Sequence, residues 1–235
     1  MTTPAAGPRV LGLFAKWPAP GAAKTRLCAG GGPEWGARVA RAFLLDTVER
    51  LAAVGDRRVL AFAPPGAADD FAALVRGRFA LAPQADGDLG HRLARFAEDQ
   101  MAAGAGALVL VGADSPTLPV EYVERAFAEL GRADVVLGPA TDGGYYLIGF
   151  GRRVPPVFEG VAWGTSRALA DTVARLEGPW RLALLPPWYD VDTPDDWAML
   201  CGHLAALRRA GIDPGAPHTE ALTREGLAAR GGAPP

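Results

Sequence analysis

The chain has 235 residues, with 24 basic and 26 acidic side chains and a formal net charge of -2. That balance argues against a nucleic-acid binder, which carries a basic face, and no run of about 18 apolar residues exists to span a membrane. Cys28 and Cys201, with His91, His203 and His218 scattered, give neither a disulfide framework nor zinc spacing.

Gly and Pro number 30 and 21, well above average, yet the hydrophobic content is 49%. A packed globule that spends its glycines and prolines in loops is the expectation. Met1 to Pro8 lack the charged start and apolar stretch of a secretory leader, and the two cysteines fit a reducing cytoplasm, so a cytoplasmic protein is expected. The 24 basic residues include only Lys16 and Lys24 as lysines, both in one short segment.

In chain order, Val10–Ala15 reads as the first strand. Pro33–Ala53 follows as a helix whose apolar face is Val39, Phe43, Leu44, Val48 and Leu51. Strands are then expected at Val59–Ala63, Leu108–Val111, Val135–Gly138, Tyr146–Phe150 and Leu182–Leu185. Helices are expected at Ala67–Arg76, Asp88–Ala103, Val120–Leu130, Ser166–Leu176 and Pro194–Ala210. This alternation predicts an α/β fold with a mainly parallel sheet covered on both faces. Ligands of such sheets bind beyond the carboxyl ends of the strands. Residues 1–211 read as one domain, and residues 212–235 as a loosely held tail.

The loop after the first strand runs Lys16-Trp17-Pro18-Ala19-Pro20-Gly21-Ala22-Ala23-Lys24-Thr25-Arg26. Its three cations and free backbone N–H groups suit phosphate, although a solvated loop explains the lysines too. It is not a Walker A loop, because Ala23 precedes Lys24-Thr25. The Leu108–Val111 strand ends in Gly-Ala-Asp114-Ser-Pro, a carboxylate at a strand tip that is equally an ordinary helix cap.

After the Leu182–Leu185 strand comes Asp190-Val191-Asp192-Thr193-Pro194-Asp195-Asp196. Thr193, Pro194, Asp195 and Asp196 have the sequence of a helix start. Asp190 and Asp192 are not needed for it, and in an extended segment they share one face. Asp114 and Asp192 together could hold one Mg²⁺. Two Gly-rich loops, Gln84 to Arg92 and Gly138 to Tyr146, permit close backbone approach to a ligand. For Asp142-Gly143 a plain hairpin turn is the competing explanation. Trp17 and Trp163 could stack on a base or sugar, or simply pack.

The ordered motifs K-x-P-x-P-G-x-x-K-T-R-L, Q-x-x-G-D-L-G-x-R, G-A-D-S-P, G-P-x-x-D-G-G-Y-Y, W-x-T-S and D-V-D-T-P-x-D cover about Val10 to Leu200. They resemble a bacterial glycosyltransferase-A-type family of uncertain function. That family carries a glycosyltransferase-like, arsenosugar-linked label. It is similar to phospholactate guanylyltransferases and, more distantly, to molybdenum-cofactor nucleotidylyltransferases. The resemblance implies the nucleotide-diphospho-sugar transferase fold, a three-layer α/β/α sandwich with a mainly parallel mixed sheet.

It also implies site residues. Lys16, Lys24 and Arg26, with Gly21 and Thr25 in the same loop, would face the nucleotide phosphates. Asp114 and Asp192 would be the carboxylates for Mg²⁺ or Mn²⁺. Gly87, Asp88, Leu89 and Arg92 would lie near the nucleotide. Asp142, Gly143, Gly144 and Tyr145, with Trp163, Thr165 and Ser166, would shape the acceptor side. The single Asp of Gly112–Pro116 departs from the D-x-D of most glycosyltransferases.

Two reactions follow. In nucleotidyl transfer, a small phosphorylated or acidic acceptor attacks the α-phosphate of a nucleoside triphosphate, and pyrophosphate leaves. In glycosyl transfer, a sugar moves from a nucleotide-diphospho-sugar to a small acceptor, and Asp142 is the candidate base. A nucleotide-binding module without catalysis is a third reading. The cation-rich first loop favours nucleotidyl transfer.

Overall fold

A computed structural model describes residues 7–229. The elements in chain order are β1 (Arg9–Lys16), a 3-10 helix (Thr25–Gly30), α1 (Gly32–Arg50), β2 (Arg57–Ala63), α2 (Ala68–Val75), β3 (Ala80–Pro83) and α3 (Leu89–Ala102). They continue as β4 (Ala107–Val111), α4 (Val120–Glu129), β5 (Val135–Pro139), β6 (Tyr145–Phe150), α5 (Ala168–Ala174), β7 (Leu182–Leu184), α6 (Pro194–Arg209) and α7 (Pro217–Ala229).

The strands form one seven-stranded sheet in the order β3-β2-β1-β4-β6-β5-β7. Pairing is parallel from β3 through β4 and between β5 and β7. Only β6 is reversed, running antiparallel to β4 and β5. The sheet is therefore mixed and mainly parallel, as the alternation of elements implies.

Its central strands are apolar on both faces because both faces are covered. On one side Leu11, Leu13 and Val109 pack with Leu44 and Val48 of α1, Phe71 of α2 and Phe127 of α4. On the other, Val10, Leu108 and Leu137 pack with Leu93 and Phe96 of α3 and with Phe158. Each fully buried Leu, Val or Phe side chain contributes about 1.5–3 kcal/mol. A third cluster lies outside the sheet. It joins Val39 and Phe43 of α1 to Leu200 and Leu204 of α6 and Leu222 of α7.

Two elements depart from the sequence expectations. β3 is a short edge strand with the sequence Ala-Leu-Ala-Pro, which lacks the β-branched run that marks its neighbours. The segment expected as a loosely held tail, 212–235, instead forms α7 in its described part. Asp46 of α1 is fully buried and accepts from the backbone N–H groups of His218 and Thr219, at 3.0 and 2.8 Å, and from the Thr219 hydroxyl. It thus caps the open N–H groups of α7 from another helix.

Asp46→Ala should leave those donors buried and unpaired, at a cost of about 1–3 kcal/mol. The expected readout is faster amide hydrogen exchange confined to residues 217–225. Unchanged exchange there would show that α7 does not depend on this carboxylate.

Candidate active site

The strand tips and their loops build the site. At the end of β1, Trp17 N–H donates to Ala63 O at 2.7 Å, and the indole packs edge-on against Phe71. Trp17 therefore anchors the loop to the core. The loop then turns through Gly21, whose φ is +73°, and Lys24, whose φ is +49°. A left-handed backbone is costly for lysine, which lacks the freedom of glycine. Directly after it, Leu27 of the 3-10 helix is buried in the cluster of α1 and α6.

This geometry sends the Lys24 side chain inward. Its Nζ contacts Asp114 Oδ1 and donates to Asp192 Oδ1 at 2.8 Å, and it lies 5.4 Å from the centre of the Phe43 ring. The Lys24 side chain is only 4% exposed, against 54% for Asp114. Burial alone would lower the Lys24 pKa, but the two carboxylates outweigh it and hold the ammonium above its ordinary value. Arg26 is exposed and donates to the second oxygen of Asp192 at 2.8 Å. The structure thus brings Lys24, Arg26, Asp114 and Asp192 together, from loops more than a hundred and sixty residues apart at the extremes.

Asp114 and Asp192 are placed by backbone. Val191 N–H donates to Asp114 O at 3.0 Å, which ties the β4 tip to the segment before α6. Val191 is fully buried, while Asp190 and Asp192 both line a cleft of about 190 Å³ with Arg26, Thr141, Asp142, Thr193 and Asp196. The expected alternation of Asp190 and Asp192 about a buried residue is present. Thr193 caps α6 in a capping box with Asp196, so the helix-start reading of these residues also holds.

Asp190 has a role that sequence reasoning did not assign. Its Oδ1 accepts from the Ser115 hydroxyl, which also donates to Tyr189 O at 3.0 Å. Burial, then the nearby Asp114 charge, pushes its carboxyl up to about 7 against the pull of Ser115. Ser115 directly after Asp114, with Asp190 two residues before Asp192, was the available signal.

The other sequence-derived positions fall on the same edge of the sheet, with different partners. Lys16 ends β1 and is exposed. The Asp88 carboxylate is engaged as the cap of α3, accepting from His91 N at 2.8 Å, and Arg92 Nε donates to Gly87 O at 2.8 Å. Leu89 is 43% exposed at the start of that helix. Among the described residues, no hydrogen bond or ion pair links Asp88 or Arg92 to the Lys24 cluster.

Asp142 and Gly143 do form the hairpin turn between β5 and β6, and Asp142 Oδ1 accepts from Gly144 N at 2.8 Å. Gly143 has φ +88°, and a Cβ there would lie 2.3 Å from Ser166 O, so only glycine permits this approach. Leu169 N–H donates to Gly143 O, which ties the start of α5, just after the Trp163–Ser166 segment, to the turn. Thr165 is used in its own turn, donating to Ala162 O and accepting from Arg167 N. Trp163 packs against Phe158 and Tyr145, and a Cβ on Gly90 would lie 2.5 Å from its indole nitrogen. Burial raises the Tyr145 phenol, whose hydroxyl is near Thr172.

Asp114 and Asp192 present hard oxygen donors that converge on one positive charge, the Lys24 ammonium. Among the described residues no group of three or more His, Cys, Asp or Glu forms a complete cage. Two carboxylates without a cage fit an ion such as Mg²⁺ that is completed by substrate phosphates.

Residues 44–165 match a family described as "Uncharacterized protein conserved in bacteria (DUF2064)". The chain belongs to this family. Its fold is the nucleotide-diphospho-sugar transferase fold, as in a crystal structure provisionally named a nucleotide-diphospho-sugar transferase from Desulfovibrio desulfuricans G20. That protein is 32% identical, with 92% of this chain and 97% of the other covered and a TM-score of 0.82. Rv0371c from Mycobacterium tuberculosis H37Rv, in complex with manganese, is 21% identical over 83% of this chain and 98% of its own, with a TM-score of 0.50. A cytidylyltransferase from Leptospira borgpetersenii is 12% identical over 94% and 95% of the two chains, with a TM-score of 0.53. The last two likenesses concern the fold alone. No curated protein matches the chain. No helix among the described residues of this family member is long and apolar enough to cross a membrane.

Proposed function

We propose that this family member is a metal-dependent nucleotidylyltransferase, moving a nucleoside monophosphate from a triphosphate to a small acceptor. The observation that carries this reading is the meeting of Lys24 and Arg26 with Asp114 and Asp192 at the carboxyl edge of the sheet. Displacement at an α-phosphate needs positioning and neutralised charge rather than a protein nucleophile. Cations on one loop and carboxylates on two others supply both elements. The manganese complex of Rv0371c and the cytidylyltransferase on the same fold are consistent with it.

In this reading Asp114 and Asp192 hold Mg²⁺ or Mn²⁺, and the bound ion neutralises phosphate charge. Lys16, Lys24 and Arg26 bind the phosphates, and the Gly87 to Arg92 segment lies along the nucleotide. Gly21 shapes the phosphate loop and Thr25 opens its 3-10 helix. Asp142 to Tyr145 and Trp163 to Ser166 form the acceptor rim. The transferase unit is residues 1–211, with α7 bracing it from outside, and it works in the cytoplasm.

One observation favours glycosyl transfer as the second reading. The cleft beside Asp192 is lined by Arg26 and four aspartates, Asp142, Asp190, Asp192 and Asp196. Such a lining suits a polyhydroxyl acceptor better than an anionic one, and the provisional name of the Desulfovibrio relative agrees.

A substrate panel with Mg²⁺ separates the two. Pyrophosphate release from one triphosphate in the presence of phosphorylated acids is the expected result. Release of nucleoside diphosphate from a sugar nucleotide would replace it with the second reading.

A further inference from the structure

We propose that the Lys24 ammonium is a built-in occupant of the cation seat between Asp114 and Asp192. A divalent ion then enters that seat only together with nucleotide phosphates, which draw Lys24 away. The proposal rests on the reading of Asp114 and Asp192 as metal carboxylates.

Three observations carry it. The ammonium touches Oδ1 of both aspartates, so it stands where an ion shared by them would stand. Its seat is built: the side chain is 4% exposed, the charge faces the Phe43 ring, and the backbone of Lys24 itself takes a left-handed φ of +49° to deliver it. A strained backbone at a non-glycine residue persists only where the surroundings enforce it, and such strain gathers at functional sites. Finally, Arg26 already neutralises the other oxygen of Asp192.

The charge count explains the order of events. Two carboxylates facing Lys24 and Arg26 are balanced. A bare divalent ion would enter next to an ammonium, and like charges in one partly buried seat repel. Nucleotide phosphates reverse this, because they give the ammonium new oxygen partners while supplying the ion with the rest of its shell. Lysine suits the exchange, being a point charge on a flexible stem rather than a rigid fork. Lys24 thus keeps the aspartates paired in the nucleotide-free protein and couples metal loading to substrate.

The test uses the full chain without nucleotide and Mn²⁺ alone as the probe. Binding is read from the paramagnetic signal of free Mn²⁺, and stability from thermal melting. Wild type should bind weakly, and its melting temperature should not move. Lys24→Met should bind Mn²⁺ about tenfold more tightly or better, melt lower than wild type, and recover on adding Mn²⁺. Adding Asp192→Asn to Lys24→Met should remove the gain. Lys24→Gln serves where the Met variant does not fold.

A wild-type melting temperature that rises with Mn²⁺ alone overturns the proposal, and that measurement needs no variant. So does a Lys24 variant that binds no more tightly. If that variant shows no gain while Asp192→Asn still weakens binding, the seat idea fails and the metal carboxylates stand. If the gain survives both Asp114→Asn and Asp192→Asn, the carboxylate reading fails as well.

Discussion

Replacing Lys24 by alanine should lower turnover by roughly 10²–10³-fold, about 2.7–4 kcal/mol of transition-state stabilisation. The expectation follows from where the ammonium sits. It is held by two carboxylates and an aromatic face, on a loop whose start is fixed by Trp17 against Phe71. Once nucleotide phosphates have drawn the ammonium from the carboxylates, it is already fixed on them before charge develops in the transition state, which is why its loss is expensive.

The measurement is single-turnover release of pyrophosphate, on protein shown by melting to be folded. Lys24→Arg should rescue little, because a planar guanidinium does not fit a seat shaped for a point charge. Near wild-type turnover in Lys24→Ala would remove this loop from the reaction. Taken with the Mn²⁺ experiment, Lys24 variants should bind the bare ion better and turn over worse. A residue with only a structural role would not split the two in that way.

The second large effect is on stability. Phe71→Ala should cost about 3–5 kcal/mol and lower the melting temperature by roughly 6–20 °C. Phe71 is fully buried between α2 and the sheet, with Phe62 at 5.4 Å and Trp17 at 5.1 Å between ring centres. Its removal leaves a cavity that these rings cannot close without moving. Because Trp17 opens the Lys24 loop, turnover should fall even at temperatures where the variant is folded. A melting point within about 2 °C of wild type would show that α2 is held by something other than this ring.

These expectations differ in how far the sequence alone could reach them. Most strands and helices were legible, because their stability comes from side chains adjacent in sequence: runs of Val, Leu and Phe, and the apolar face of α1. β3 was not, since Leu81 is its one large apolar side chain and Pro83 ends it. Neither was α7, whose capping carboxylate is Asp46, 172 residues before the first N–H it binds. Long-range caps leave no local periodicity to read.

In the site, the residue types and the edge of the sheet were legible. The partners were not. Sequence shows that Lys24 is a cation in a phosphate-suited loop, but not that two aspartates already hold it. Asp88 shows the same limit: the sequence reading made it the first residue of the helix and set it near the nucleotide, whereas its carboxylate caps α3.

The reversal of β6 bears on how such a scaffold can diversify. The Thr141–Gly144 turn joins two strands already hydrogen-bonded to each other. The other loops at this edge each connect a strand to a helix across the layers. Residues of that turn, Gly143 excepted, can be exchanged without re-seating any helix. If this rim takes the acceptor, as proposed, relatives with the same sheet would change what they accept there while the Lys24, Asp114 and Asp192 arrangement stays as it is, and specificity would be separable from chemistry within a single chain.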